Sequence, residues 1–282
     1  MKIAISVEST SDLSKELLEK NDIKVVPFQI TLGDETFNDG EKSTLDIFEY
    51  VDKTGVLPKT NAINDYGYTE YFESLKKDYD AVVHLSLSSG LSSSCSNAMR
   101  VSKDLDNVYV VDSLSLSTGI GLLALYAKDL ANEGLDAKTI AEKCQQRVKN
   151  LQVSFVIERL DYLYKGGRCS SLQRLGANIL KLHPRIVVKD GKMGSDKNYR
   201  GSMAKVVAKY CEDTLDEFNN PDFTRVFITY TTATQEMVES AKNALVDKGF
   251  KNIYETHAGC TIASHCGANT LGILYFNDGK NN

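Results

Sequence analysis

Short apolar runs alternate with helix-length amphipathic segments through the first half of the chain. The pattern predicts a strand at residues 2–7 and a second apolar strand region at residues 23–32. Further strands are expected at residues 81–87 and 108–111, and helices at 65–77, 91–103 and 116–132. Strands separated by helices favour a parallel sheet covered by helices on both faces. The pattern therefore predicts an α/β domain over residues 1–150.

The second half of the chain has a different pattern. A helix at residues 137–150 precedes a strand at 152–157, and an apolar helix is expected near residues 172–180. Residues 186–192 carry an Asp-Gly turn between extended arms, which is typical of a β-hairpin. Helices at 203–218 and 236–248 and strands at 226–230, 253–257 and 271–276 complete the pattern. Hairpins mixed with helices predict a C-terminal α+β domain over residues 151–282.

Length and composition are those of an ordinary globular protein. The 282 residues are 42% hydrophobic and 25% charged, enough for two domains. No segment approaches 18 uninterrupted apolar residues, so we expect no stable membrane insertion. The apolar start is short and soon followed by Glu8 and Asp12, which indicates a strand rather than a signal peptide. We therefore expect a cytoplasmic protein.

Charge and cysteine spacing argue against several function classes. The net charge of −5 provides no concentrated basic face for nucleic acid. The six cysteines form no Cys-x-x-Cys pair, and Cys260, His265 and Cys266 lack a fourth metal ligand nearby in the sequence. No Gly-x-Gly-x-x-Gly segment follows a predicted strand. We expect no metal and no nicotinamide or flavin cofactor.

A serine-rich segment follows the apolar run at residues 81–85. Seven of the eleven residues 86–96 are serine, with Gly90 at the bend and a helix expected from about Leu91. Backbone N–H groups and hydroxyls in such a strand-to-helix loop can bind an anion. The alternative is a turn whose serines only cap the helix. Because ligands of parallel sheets bind beyond the carboxyl ends of the strands, the position favours a binding site.

Five separated segments carry the remaining functional signal. They are Ile5-Ser-Val-Glu-Ser-Thr-Ser-Asp-Leu13, Leu57-Pro-Lys-Thr-Asn61, Leu87-Ser-Ser-Gly-Leu-Ser92, Leu160-Asp-Tyr-Leu-Tyr-Lys-Gly-Gly-Arg168 and His265-Cys-Gly-Ala-Asn-Thr-Leu-Gly272. Together they resemble the DegV family of bacterial fatty acid-binding proteins, in an order and spacing that cover nearly the whole chain. The resemblance implies a two-domain α/β protein that holds one long-chain fatty acid between or within its domains, with no other cofactor. It also implies a carrier without catalytic activity, which presents the carboxylate to a separate fatty acid kinase for acyl phosphate formation in phospholipid synthesis.

The resemblance assigns roles to individual residues of this sequence. Thr60 and Ser92 are the expected carboxylate ligands, with Ser89 as the reserve candidate. The other expected ligand-site residues are Asn61, Gly90, His265 and Gly267, and the expected phosphate or kinase contacts are Arg168, Arg200 and Lys205. We expect the fatty acid tail to enter the first domain between its sheet and its helices.

The sequence also departs from the family pattern. Glu8 replaces the usual Asp, Asn61-Ala62 replaces Ser-Gln, Ser93 replaces Gly, and Ala268-Asn269 replaces Pro-Gly. Structural explanations compete as well: Thr60 could start a helix, His265 could be a core histidine, and Lys165-Gly-Gly-Arg168 could be a helix C-cap. Ligand choice and kinase docking are the properties that these departures affect most.

Two enzyme classes compete with the carrier. In an acyl hydrolase, Ser89 or Ser92 would be the nucleophile and His265 the base. Against this, the serine-rich segment has no Gly-x-Ser-x-Gly elbow. A nucleotide-dependent kinase would need a phosphate-binding loop, and no Gly-x-x-x-x-Gly-Lys-Ser/Thr segment occurs. The sequence therefore favours a non-catalytic fatty acid carrier.

Overall fold

The computed structural model describes residues 1–169 and 182–279. The helix predicted near residues 172–180 lies outside the described residues. The strands, in chain order, are β1 (Ile3–Glu8), β2 (Ile23–Val26), β3 (Gln29–Leu32), β4 (Glu35–Asn38), β5 (Lys59–Asn61), β6 (Ala81–Ser86), β7 (Val108–Asp112), β8 (Leu151–Val156), β9 (His183–Lys189), β10 (Lys192–Tyr199), β11 (Val226–Tyr230), β12 (Ile253–His257) and β13 (Leu271–Phe276). They form three sheets.

The α-helices lie between these strands. In chain order they are α1 (Lys15–Lys20), α2 (Thr44–Thr54), α3 (Asp65–Lys76), α4 (Ser94–Ser102), α5 (Thr118–Asn132), α6 (Ala137–Arg147), α7 (Leu160–Gly166), α8 (Met203–Glu217), α9 (Gln235–Lys248) and α10 (Cys260–Cys266). None of the helices in the described part of the chain is long and apolar enough to cross a bilayer.

A four-stranded parallel sheet forms the core of the N-terminal half. Its order is β2-β1-β6-β7, and β1 pairs in parallel with both β2 and β6. Alternation along β1 sends Ala4 to one face, against α3 and α4, and Ile5 to the other, against α5 and α6. All six residues of β6 are buried because helices cover both faces. The predicted parallel α/β arrangement is confirmed.

The strand order reverses between β1 and β6. The chain leaves β1 for β2 on one side and returns to β6 on the other. In open parallel sheets the crevice at such a reversal is where ligands bind. The residues that end these two strands are Glu8 and Ser86, and the serine-rich segment continues directly from Ser86. The topology therefore places this segment at a position suited to binding.

The prediction of a single strand region at residues 23–32 is wrong. The chain there forms two strands, β2 and β3, separated by Pro27 and Phe28. Pro27 lacks a backbone N–H donor and fixes φ, so the parallel strand cannot continue through it. β3 then pairs with β4 and β5 in a three-stranded sheet of order β4-β3-β5.

The C-terminal half is built on a six-stranded mixed sheet of order β10-β9-β8-β13-β11-β12. The predicted hairpin is confirmed as β9 and β10, with Asp190 and Gly191 at φ of 50° and 76°. α8 and α9 pack against one face of this sheet. The other face meets α5, where Val153 and Phe155 share a core with Ile120. α5 therefore lies between the parallel and the mixed sheet and joins the two halves.

Candidate functional site

A cavity of about 110 Å³ lies where the serine-rich loop, β5 and α10 meet. We call it the β5–α10 cavity. Its lining residues are Phe28, Thr60, Ala62, Leu87, Leu91, Ser92, Ser93, Leu116, Arg168, Met193, Thr261, Ile262, His265 and Cys266. Apolar side chains form most of the wall, and a few hydroxyls, one imidazole and one guanidinium converge on it. This composition is typical of a small-molecule site.

A buried carboxylate fixes the start of the serine-rich loop. Glu8 accepts hydrogen bonds from Ser86 Oγ at 2.6 Å, from the backbone N of Leu87 at 2.8 Å and from the hydroxyl of Tyr68 at 2.8 Å. Burial opposes its ionisation, but His84 and these hydroxyl donors outweigh burial and lower the pKa of Glu8. The Tyr68 hydroxyl also lies 2.7 Å from Ser94 Oγ. Ser86 and Ser94 therefore hold the loop in place.

The bend of the loop contacts the β9–β10 hairpin. Ser88 Oγ donates to the carbonyl of Gly191 at 2.7 Å. A Cβ atom added at Gly90 would lie only 2.5 Å from that carbonyl oxygen, so the approach requires glycine. Ser89 is exposed and its backbone N donates to Asp112. Gly90 and Ser89 thus lie outside the β5–α10 cavity, and Gly90 serves the contact between the two halves.

Ser92 and Ser93 both line the cavity, and Ser92 is the half-buried one of the two, with a hydroxyl suited to binding. Its Oγ accepts a hydrogen bond from the backbone N of Ser94 at 3.2 Å, so its own O–H can donate elsewhere. α4 begins at Ser94, three residues later than the expected start at Leu91. Because of this late start, Ser92 remains in the loop and faces the cavity.

Thr60 and His265 form the central polar pair of the cavity. Thr60 lies in β5, so the alternative that it begins a helix is wrong. Its Oγ1 is 2.9 Å from Nε2 of His265. Asn61 is the next residue of the strand and therefore faces the opposite side, where it donates to Thr31 Oγ1 at 3.2 Å. Asn61 is not among the residues that line the cavity.

The imidazole of His265 is held in its neutral form. Burial, with a smaller contribution from the positive charge of Arg168, lowers the pKa of His265 to about 4. Its Nδ1 is buried and has no hydrogen-bond partner among the described residues. Gly166 packs against this nitrogen so closely that an added Cβ would lie 2.7 Å from it. His265 thus pairs with Thr60 and lines the cavity.

One face of α10 forms a wall of the cavity. Thr261 and His265 are four residues apart, as are Ile262 and Cys266, so these side chains share one helix face. The Thr261 hydroxyl is buried without a hydrogen-bond partner in the described part of the chain. α10 is not among the helices predicted from the sequence. The glycines at its two ends, Gly259 and Gly267, with the spacing of the four residues, were the available signal.

Arg168 lies at the mouth of the cavity, directly after α7. Gly167 ends α7 in the left-handed conformation with φ of 70°, so the C-cap interpretation of this motif is correct. Arg168 is exposed, and its Nη1 donates to the carbonyl of Gly166 at 2.7 Å. The motif thus both ends a helix and brings a cation to the cavity.

Besides Asn61, Ser89 and Gly90, three further predicted residues do not line the β5–α10 cavity. Gly267 follows α10 with φ of 76° and packs against the ring of Tyr162, and its carbonyl accepts from Thr231. Arg200 and Lys205 are exposed, just after β10 and in the first turn of α8. Over residues 1–169 and 182–279, no group of three or more His, Cys, Asp or Glu side chains is arranged to hold a metal ion.

Comparison with known proteins identifies the family. The family model for DegV, described as a family of uncharacterised proteins, matches residues 2–278. The chain belongs to the DegV family. It is 30% identical to the fatty acid-binding protein of Thermotoga maritima over 286 aligned positions, which cover 96% of each chain.

Solved DegV structures share the fold over nearly the full length. One of them is the structure of a DegV family protein from Thermus thermophilus, which is described in terms of fatty acid binding. It superposes on this chain with a TM-score of 0.90 at 24% sequence identity, and the superposition covers 98% of this chain and 99% of the other. DegV of Bacillus subtilis, described as a fatty acid-binding protein, gives 0.85 at 26% identity with the same coverage. These matches confirm the two-part α/β fold.

Proposed function

We propose that this protein binds a long-chain fatty acid and presents its carboxylate to a fatty acid kinase. The observation that carries the proposal is the convergence of Thr60, Ser92 and His265 on one cavity whose walls are otherwise apolar. A fatty acid has the same division between a polar head and an apolar chain. The fatty acid-binding relatives described above support this ligand class.

Neutral donors hold the carboxylate in this proposal. When the proton of His265 resides on Nε2, it donates to Thr60 Oγ1, and the Thr60 hydroxyl can then donate to the ligand. Ser92 supplies a second hydroxyl donor. Hydrogen bonds to a charged acceptor contribute about 1.5–3 kcal/mol each. Two such bonds replace part of the hydration that the carboxylate loses on entering the cavity.

The apolar chain continues from this head-group position between the two halves of the molecule. The volume of about 110 Å³ is below the ~300 Å³ of common small-molecule pockets, so the β5–α10 cavity suits the head of the ligand. A second cavity of about 20 Å³ shares Leu116, Ile262 and Cys266 with it and extends toward Phe155 and Leu274. This continuity favours a chain between the domains over one inside the first domain.

Burial of the chain supplies most of the affinity. About fifteen methylenes at about 0.8 kcal/mol each contribute roughly 12 kcal/mol. Association and ordering consume about 4 kcal/mol or more of this sum. The head-group bonds then mainly fix which end of the molecule faces outward.

The polar pair is poorly suited to catalysis. A general base works best with a pKa near the working pH, and the pKa of His265 is lowered to about 4. Its Nε2 pairs with Thr60 rather than with a serine, and in the described residues no carboxylate orients its Nδ1. These features favour a carrier over the acyl hydrolase.

Lipid extraction with mass spectrometry tests the proposal. We expect a co-purified long-chain fatty acid in the wild-type protein, and a [1-¹³C]palmitate carboxyl resonance that shifts on binding. Ser92→Ala should lower palmitate affinity roughly tenfold through the lost donor. Ser89→Ala is the matched control, because Ser89 is exposed outside the cavity. Absence of fatty acid and of palmitate binding, or steady ester hydrolysis that disappears in Ser92→Ala, would contradict the carrier.

A second experiment separates retention of the fatty acid from acyl phosphate formation by the kinase. Arg168 is exposed at the mouth, where a guanidinium can contact phosphate or the kinase. Arg168→Ala should leave fatty acid occupancy near the wild-type value and slow acyl phosphate formation with the cognate kinase. Arg100→Ala, which removes an exposed arginine paired with Asp65, is the control. Loss of occupancy in Arg168→Ala, or turnover at the wild-type rate, would show that Arg168 has a different role.

A further inference from the structure

The N-terminus of α10 is held by carboxylates from a distant part of the chain. Its N-cap is Gly259, which has no side chain to accept from the first turn of the helix. The backbone N of Gly259 donates to Asp12 Oδ1 at 2.8 Å, across 247 residues of sequence. The backbone N atoms of Cys260 and Thr261 donate to Oδ1 and Oδ2 of Asp39, at 2.8 and 3.2 Å.

Asp39 also fixes a second part of the cavity wall. Its backbone N donates to the carbonyl of Phe28 at 2.8 Å. Ser9 Oγ donates to Asp39 Oδ2 at 3.1 Å and accepts from the backbone N of Phe28 at 3.0 Å. Phe28 lines the β5–α10 cavity, as does one face of α10. One carboxylate thus ties two cavity walls together without itself lining the cavity.

Asp12 links the same helix to α5. Its Oδ2 accepts from Ser117 Oγ at 2.5 Å, next to the cavity residue Leu116. Asp12 and Ser117 both adopt positive φ, at 51° and 54°, a conformation that costs free energy outside glycine. Burial raises the pKa of Asp12 to about 8; hydrogen bonds from Gly259 and Ser117 oppose this rise, and the charge of Asp39 adds to it.

The buried Asp12, its neighbour Asp39 and the positive φ angles all cost folding free energy. A buried acid next to a second acid, on strained backbone, is weak support for the fold. α10 itself has seven residues and is about 10 Å long, too short to be stable without its anchors. The last turn of α10 carries His265, so a tilt at the N-terminal end of α10 moves the imidazole relative to Thr60.

We propose that Ser9, Asp12 and Asp39, which we call the α10 hub, are positioning residues that set His265 against Thr60 and thereby determine head-group affinity. The affinity part rests on the proposed fatty acid function. The positioning part concerns the ligand-free protein and stands on the contacts alone. The titration of His265 in ligand-free protein therefore tests the positioning role, and palmitate affinity tests the role in head-group binding.

The experiment compares Asp39→Ala with Asp136→Ala. Asp136 caps α6 by accepting from the backbone N of Thr139 at 3.0 Å, and α6 contributes no residue to the cavity. One readout is palmitate affinity by calorimetry. The other is the titration of the His265 imidazole by ¹H–¹³C NMR in ligand-free protein. We expect Asp39→Ala to weaken palmitate binding about tenfold or more and to move the His265 pKa upward, toward its ordinary 6.5. Asp136→Ala should change neither.

The outcomes are distinguishable. If wild-type protein binds no palmitate, the proposed function fails, while the His265 titration still examines the hub. If folded Asp39→Ala keeps the wild-type His265 titration and affinity, the positioning role is wrong. Should Asp39→Ala fail to fold, Asp39→Asn retains one acceptor oxygen and is measured in its place, with the same expected direction and the same contradicting result.

Discussion

Replacing Thr60 by valine isolates one hydroxyl of the proposed head-group site. Valine keeps the β-branched shape that suits strand β5 and removes only the Oγ1 that lies 2.9 Å from His265 Nε2. The ligand carboxylate then loses one of its two proposed hydroxyl donors. The other donor, Ser92, is unchanged.

The expected loss of affinity follows from that single bond. A hydrogen bond to a charged acceptor contributes about 1.5–3 kcal/mol. At about 1.4 kcal/mol per tenfold, Thr60→Val should weaken fatty acid binding by about 10- to 150-fold. Thr60 is half-buried, which favours the lower part of this range. The ligand-free protein also loses the partner of a buried His265 nitrogen, at a cost of about 1–3 kcal/mol in unfolding free energy.

Calorimetric titration with palmitate and urea unfolding measure both effects. Thr31→Val is the matched control: Thr31 is a half-buried threonine of the same small sheet, and its hydroxyl contacts Thr36 and Asn61 outside the cavity. The control should bind palmitate as the wild-type protein does. If Thr60→Val binds palmitate within a factor of two of wild type while remaining folded, the carboxylate does not contact Thr60, and the proposed head-group position is wrong.

Two further predictions concern stability. Gly90→Ala should lower the free energy of unfolding in urea by about 1–3 kcal/mol, because its Cβ would lie 2.5 Å from the Gly191 carbonyl oxygen; Gly194→Ala, with open space around its Cβ and ordinary φ, is the control, and equal effects would refute the close contact. His265 favours its neutral form in the fold, so its stabilisation is present above pH 6.5 and is lost as pH falls toward 4, by up to about 3 kcal/mol. His265→Gln should therefore flatten the unfolding free energy between pH 6.5 and 4.5, and a slope equal to wild type would contradict the lowered pKa.

Elements with strong local signals were predictable from the sequence. The Asp190-Gly191 turn forms the hairpin that its residue types require, and α2 begins at the capping box of Ser43 and Asp46, whose residue types and spacing are a recognisable helix start. The buried run of β6 lies in the centre of the parallel sheet. In each case the information that decides the structure lies within a few neighbouring residues.

The elements that build the cavity have weaker local signals. β5 has three residues and exists because it pairs with β3, and α10 exists because two distant acids satisfy its first N–H groups. Without β5, sequence analysis could not tell that Thr60 and Asn61 face opposite sides. Several segments of the motif resemblance meet at the cavity, but which side chain of each segment reaches the cavity is decided by tertiary pairing.

In the serine-rich segment, too, the sequence identifies the segment but not which of its side chains reaches the cavity. Its composition indicated a site for an anion, yet Ser86, Ser88 and Ser94 are occupied in holding the loop to Glu8, Gly191 and Tyr68. Ser92 and the exposed Ser93 lie at the cavity, and the half-buried Ser92 has a hydroxyl proton left to donate.

A site made of hydroxyls and a neutral imidazole has a consequence for the proposed carrier. Among the described residues that line the cavity, Arg168 is the cation, and it is exposed. A buried ion pair with the carboxylate would hold the head group strongly and would leave an unpaired charge whenever the ligand departed. Hydroxyl donors avoid that penalty, while the buried chain retains the molecule. The carboxylate can then leave its hydrogen bonds during phosphoryl transfer while the chain stays in place, which is the property that a presenting carrier requires.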